Sequence, residues 1–110
     1  MARLAKVEYD KEHDILHVGY GKKVGDSLQV GKFIIDYSGD EMVGVEVFTA
    51  SKVVEGLNQN NITKEMLSKF KVARISISRM NELVFFVVSL YTNIRKKESR
   101  LLLQVPNVAR

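Results

Sequence analysis

The sequence predicts an α+β domain: an N-terminal antiparallel β-meander, one or two short helices, and a C-terminal antiparallel β-meander. Three observations predict it. Apolar residues recur at every second position through most of the chain, the period of a half-buried strand. That period breaks after Phe48, where Val53, Val54 and Leu57 fall at helical spacing. Polar and glycine-bearing breaks separate the alternating stretches. The 110 residues fit one domain, 1–110, with a meander over 7–52 and C-terminal strands over 72–106.

Each element follows from local pattern. Lys6 to Tyr9 alternates, and Asp10 to Asp14 makes a polar hairpin loop before Ile15, Leu16 and Val18 resume a strand. Tyr20 to Asp26 is a glycine-containing loop, and a short strand covers Ser27 to Val30. Phe33, Ile35 and Tyr37 share one face of a strand, while Val43, Val45 and Val47 share one face of its partner. Ser38-Gly39-Asp40-Glu41 turns between them, with Gly39 free to take positive φ. Thr49 or Ser51 offers a hydroxyl to cap a helix start. Thr63 to Phe70 reads as a second helix, too short to persist without packing on a sheet. Val72 to Met80 sets Ala73, Ile75 and Ile77 against Arg74, Ser76 and Ser78. Leu83 to Tyr91 is apolar on both faces, as in a central or covered strand. Ile94 to Ser99 is a polar turn, and Arg100 to Val105 is a last strand that Pro106 stops.

Composition narrows the function classes. The chain has no cysteine, which excludes a disulfide framework and a thiolate metal site. The run Leu83–Leu90 is far shorter than the roughly 20 residues a spanning helix needs. MARLAKVEYD lacks the apolar core of a secretory signal, so a cytoplasmic location is expected, away from membranes. Charge is uneven. Residues 1–56 carry 7 Lys/Arg against 10 Asp/Glu, a net of −3, and residues 57–110 carry 10 against 3, a net of +7. Such halves attract each other within a chain or across a dimer, and the basic half suits a polyanion.

Residues 7–52 resemble the small uncharacterised proteins of the domain of unknown function 2283 family. The resemblance rests on "VEYDKEHDILHVGYG" and "VGKFIIDYSGDEMVGVEVFTASK", at Tyr9, Asp10, Glu12, Asp14, Asp36, Tyr37, Val43, Gly44, Val45, Glu46, Val47, Ala50 and Ser51. It implies a small β-meander followed by a helix, and it carries no catalytic residues over. Some relatives resemble antitoxin-type partners of small toxins, which implies a protein-binding role. His13, where the family has a small residue, and the basic strand-rich extension from Val72 depart from the pattern.

Candidate sites are few. Asp10, Glu12 and Asp14 alternate in the manner of oxygen ligands, but the sixth and twelfth positions of a calcium loop are here Ile15 and Gly21, so a capping turn is preferred. His13 and His17 are four apart across a turn and a strand, which misaims them for one metal. Asp36 and Glu46 share the face opposite the apolar stripe, where a Lys or Arg from the second half is expected to bridge them. Gly19-Tyr20-Gly21 lacks the rest of a phosphate loop and reads as a turn. Arg95, Lys96, Lys97 and Arg100, extended by Arg74 and Arg79, could neutralise phosphates, with Tyr91 stacking a base. The expectation is a non-catalytic protein-interaction module without cofactor or metal. It is expected to form a homodimer that covers the apolar Leu83–Leu90 strand, with nucleic-acid binding as the alternative.

Overall fold

The computed structural model describes residues 3–58, 61–81, 83–93 and 96–106. Eight strands and two helices follow in the order β1 (Arg3–Asp10), β2 (Ile15–Gly19), β3 (Asp26–Val30), β4 (Phe33–Ser38), β5 (Glu41–Val47), α1 (Ala50–Asn58), α2 (Lys64–Leu67), β6 (Val72–Met80), β7 (Leu83–Asn93) and β8 (Lys96–Pro106). All strands join one antiparallel sheet in the order β3-β4-β5-β2-β1-β6-β7-β8.

The first five strands are not a simple meander. β2 pairs with β5 rather than with β3, so the loop after β2 carries the chain past two strands to the sheet edge. β3, β4 and β5 then return by hairpins, in the manner of a Greek key. The C-terminal β6, β7 and β8 follow one another as neighbours, and β1 pairs with β6 to fuse the two groups.

Register sorts the side chains. One row runs Leu28, Ile35, Val45, Val18 and Val7, and another runs Ala5, Ala73 and Leu90. These residues line the inner face, where Leu16, Ile35, Val45, Val47, Val88 and Leu90 are almost wholly shielded from water. Each such burial contributes about 1.5–3 kcal/mol. Ala50 and Val54 of α1, Ile62, and Leu67 and Phe70 around α2 belong to the same core, so the helices cover the inner face. α1 begins at the β1–β2 turn and lies against β8. Nine residues span about 13.5 Å, close to the three strand spacings it crosses.

A bulge corrects one expectation. Asp36 pairs with Gly44 but Tyr37 pairs with Met42, so Val43 is the extra residue on β5. Met42 therefore joins the core cluster in place of Val43, which is buried outside it. β1 and β8 are also longer than the pattern indicates, because Arg3 and Lys96 keep ladder pairing beyond the apolar stretch.

Candidate functional site

Two clusters gather most of the singled-out residues of the first half. The first lies inside. Asp14 sits at φ 55°, a left-handed conformation that Asp tolerates better than most residues. Its carboxylate is buried. Oδ1 accepts from the Tyr9 hydroxyl at 2.6 Å and from the Ser51 N–H at 3.0 Å, and Oδ2 accepts from the Ser51 hydroxyl at 2.7 Å. The Asp14 carbonyl accepts from Ala50 N–H at 2.9 Å. Thus Asp14 satisfies the free N–H groups at the start of α1 from 37 residues away. The expected hydroxyl cap is corrected: Thr49 Oγ1 donates to the Phe48 carbonyl, and the Ser51 hydroxyl donates to Asp14.

Burial alone would raise the Asp14 pKa, but the bonds from Ser51 and Tyr9 outweigh it and hold the carboxyl below its ordinary value. Burial and the neighbouring Asp14 push the Tyr9 phenol well above its ordinary value. Asp10 and Asp14 serve separate partners. Asp10 Oδ1 accepts from His13 N–H, and Oδ2 lies 2.8 Å from His13 Nδ1, an interaction that lowers the Asp10 pKa. Among the described residues no group of three His, Asp or Glu is arranged to hold a metal ion.

The second cluster lies on the outer face, around two glycines. The row Ser27, Asp36, Gly44, Gly19, Lys6 crosses β3, β4, β5, β2 and β1, and the next row holds Glu46, His17 and Glu8. The Ser27 hydroxyl donates to Asp36 Oδ1 at 2.7 Å, and His17 Nε2 is 3.8 Å from Asp36 Oδ2. A Cβ on Gly44 would come within 3.3 Å of both Asp36 Oδ2 and His17 Nε2, and one on Gly19 within 2.9 Å of His17 Cε1. The imidazole therefore lies over backbone that only glycine leaves open. Asp36 and Glu46 are not cross-strand partners, since Glu46 faces Ile34. Ser27 and His17, from the first half, attend Asp36 where a cation from the second half was expected. The serine is bonded to the carboxylate, so Ser27, Asp36 and His17 do not form the serine–imidazole contact that activates a nucleophile.

Two hollows flank these clusters. One, of about 250 Å³, is floored by Tyr37, Met42, Ile75 and Phe86. Its rim is closed by charge pairs, with Arg3 and Lys22 both on Glu41 and the Arg3 guanidinium 4.2 Å from the Tyr20 ring centre. The other, of about 360 Å³, opens on the outer face over Gly19 and Gly21, beside Lys6, His17, Lys71 and Val72, with the exposed Leu4 at its edge.

The basic residues do not converge. Arg74 follows the outer parity of Ser76 and Ser78, while Arg79 follows the inner parity of Ile75 and Ile77, so the patch expected to extend through both is split between faces. Tyr91 is buried, which closes its ring to the base stacking expected of it. Arg95 lies outside the described residues; Lys96, Lys97 and Arg100 have β8 backbones, but their side chains also lie outside what is described. Glu12 is exposed in the β1–β2 turn. His17, Ser27 and Gly19 went unrecognised as a group. Their signal was two glycines at register positions where strands otherwise carry side chains.

Residues 6–51 match the family described as protein of unknown function, DUF2283. The matched segment holds both clusters, from Tyr9 and Asp14 through His17, Asp36, Gly44 and Glu46 to Ser51, and stops before α2 and β6–β8. No curated protein and no solved structure matches the chain.

Proposed function

We propose that the chain is a non-catalytic protein-interaction module that self-associates through the outer face of its sheet. One observation carries this reading: both helices contribute their buried residues to the inner core, which leaves the outer face without a covering layer among the described residues. On that face Leu4 is 58% exposed, and Phe85, Val87 and Ile34 are half-buried. Apolar surface left open in this way favours association. The polar groups that could serve chemistry instead hold one another, Asp14 with Tyr9 and Ser51, and Asp36 with Ser27.

Nucleic-acid binding draws on Arg74, Arg79 and Tyr91, and the split of the arginines between faces and the burial of the tyrosine favour the protein reading. Sedimentation equilibrium tests it. A dimer at micromolar concentration is expected, and a mass that stays monomeric with concentration rejects it.

A further inference from the structure

We infer that the open edge of β8 pairs with β8 of a second copy, antiparallel, about a two-fold axis through Leu102. This side-by-side contact goes beyond association through the outer face and does not depend on it. The sheet is open, with β3 and β8 at its edges and no strand beyond either among the described residues. An edge strand presents unpaired N–H and C=O groups, and proteins blunt such edges with short strands, charges, bulges or proline. β3 is blunted. It has five residues, and Val30 pairs with Phe33 across a two-residue turn that opens on Gly31 at φ 58°. Val30 and Leu28 therefore bond to β4, while Ser27 and Gln29 turn their backbone groups outward. The Ser27 N–H is already taken by Asp26 Oδ1 at 2.9 Å, which obstructs an added strand.

β8 differs. It runs to 11 residues, and its blunting devices sit at its ends: the register shift near Asn93 with Lys96 and Lys97 at one, and Pro106 at the other. Residues 101–105 between them carry no charge. Register says which backbone groups face out. Met80 and Leu83 close a two-residue turn and so form a hydrogen-bonded pair. Alternation then turns the even positions of β6 toward β7 and the odd ones toward β1, in line with the Val7 N–H on the Lys71 carbonyl at 3.1 Å. On β7 the even positions Phe86, Val88 and Leu90 bond to Val105, Leu103 and Leu101 of β8. The backbone groups of Arg100, Leu102 and Gln104 therefore point to the open edge.

A second copy is the occupant this pattern selects. Joining β8 to β3 of the next copy would build an open chain, and Asp26 stands against it; β8 on β8 closes after two copies. The axis through Leu102 pairs all three outward positions with one another, Leu102 with Leu102 and Arg100 with Gln104 on either side. No two cations then oppose each other, and Lys96 and Lys97 fall beyond the ladder. An axis at Leu101 would set Gln104 opposite Glu98, inside the shifted stretch, and one at Leu103 would set Arg100 opposite Pro106, which has no N–H.

Sedimentation equilibrium and amide hydrogen exchange on the full chain test the contact, with circular dichroism to confirm that each variant is folded. The outer face pairs copies back to back and β8 pairs them side by side, so the wild-type mass is expected to pass the dimer value as concentration rises. The Leu102 and Gln104 amides are expected to exchange ~10-fold or more slowly as it does. Leu102→Pro removes one outward N–H and no bond to β7, and is expected to stop at the dimer. Leu102→Lys, which sets two cations opposite each other on the axis, should stop there too and serves if the proline disturbs the strand. A folded Leu102→Lys chain that reaches the wild-type mass overturns the edge contact. A wild-type dimer whose Leu102 and Gln104 amides stay unprotected also overturns it and leaves the outer-face reading standing. A wild-type dimer with those amides protected keeps the edge and removes the outer face. A wild-type chain that is monomeric throughout removes both.

Discussion

The two halves of the sheet hold themselves together differently. In β1–β5 and α1, side chains bond to one another: Tyr9 and Ser51 to Asp14, Ser27 to Asp36, His13 to Asp10, Arg3 and Lys22 to Glu41. Among the side chains described in β6 and β7, none enters such a bond. Those strands run to 9 and 11 residues and rely on long ladders with apolar alternation. Small loops and short strands of 5 to 8 residues bury little on their own, so the first half needs polar groups placed at particular points. The second half spreads its stability over a continuous register. Damage should therefore be concentrated in one half and graded in the other.

Asp14→Ala is the sharpest way to break that contrast. It removes three hydrogen bonds to a buried carboxylate, uncaps α1 and leaves Ala at a positive φ. A loss of about 4 kcal/mol is expected in denaturant unfolding. Asp14→Asn keeps the left-handed preference and part of the bonding, and should recover a good share. If Asp14→Ala unfolds within about 1 kcal/mol of wild type, the buried carboxylate is not what fastens α1 to the β1–β2 turn.

In the second half the matching change is Leu90→Ala on β7, a fully buried residue between Ala73 and Leu101. Its cost is expected near 3 kcal/mol, from lost transfer energy and the cavity left behind. Leu90→Met, which keeps volume, should cost less than about 1.5 kcal/mol. No comparable rescue is expected for Asp14 from any apolar residue of similar size, because the buried Ser51 and the half-buried Tyr9 would be left without that acceptor.

The halves should also part in their response to pH. The folded chain holds Asp14 below its ordinary pKa, so the folded state binds fewer protons there than the unfolded one. That contribution is complete above the unfolded carboxyl value of about 3.9 and is lost as pH falls through the lower folded value. Tyr9 is held above its ordinary value, so its contribution is complete below about pH 10 and is lost as pH rises beyond it. Protonation leaves the Asp14 side chain in place, so the acid effect should be smaller than that of Asp14→Ala. Thermal unfolding of wild type and Asp14→Asn from pH 2 to 7 checks it: the acid loss should shrink in the variant.

How much of this was legible depended on how far apart the cooperating residues lie. The β6–β7 hairpin could be read from alternation alone, because Met80 and Leu83 pair across a turn and everything behind them follows by register. The Asp14 lock could not. Asp14 looked like one of three carboxylates in a polar loop, and Ser51 like an autonomous helix cap; only the fold brings them together. The Val43 bulge was hidden for another reason. Met42, Val43 and Val45 are all apolar, so the sequence offers no polar marker for the residue displaced from the core row. The β2–β5 pairing was likewise hidden, since alternation identifies strands without naming their neighbours.

The smallest effect tests the outer cluster, the one place where the first half relies on absent atoms. Gly19→Ala sets a Cβ 2.9 Å from His17 Cε1 and 3.3 Å from the Val43 carbonyl oxygen. The imidazole is the movable partner, since 38% of the His17 side chain is exposed, so the cost should be about 1 kcal/mol rather than that of a clash with fixed backbone. In a His17→Ala background most of that cost should vanish, which gives a coupling of similar size in a double-mutant cycle. Additive effects would mean that the carbonyl, not the ring, sets the limit at Gly19. The glycine would then be there for the backbone path of β2, and His17 would be free to serve another contact on the outer face.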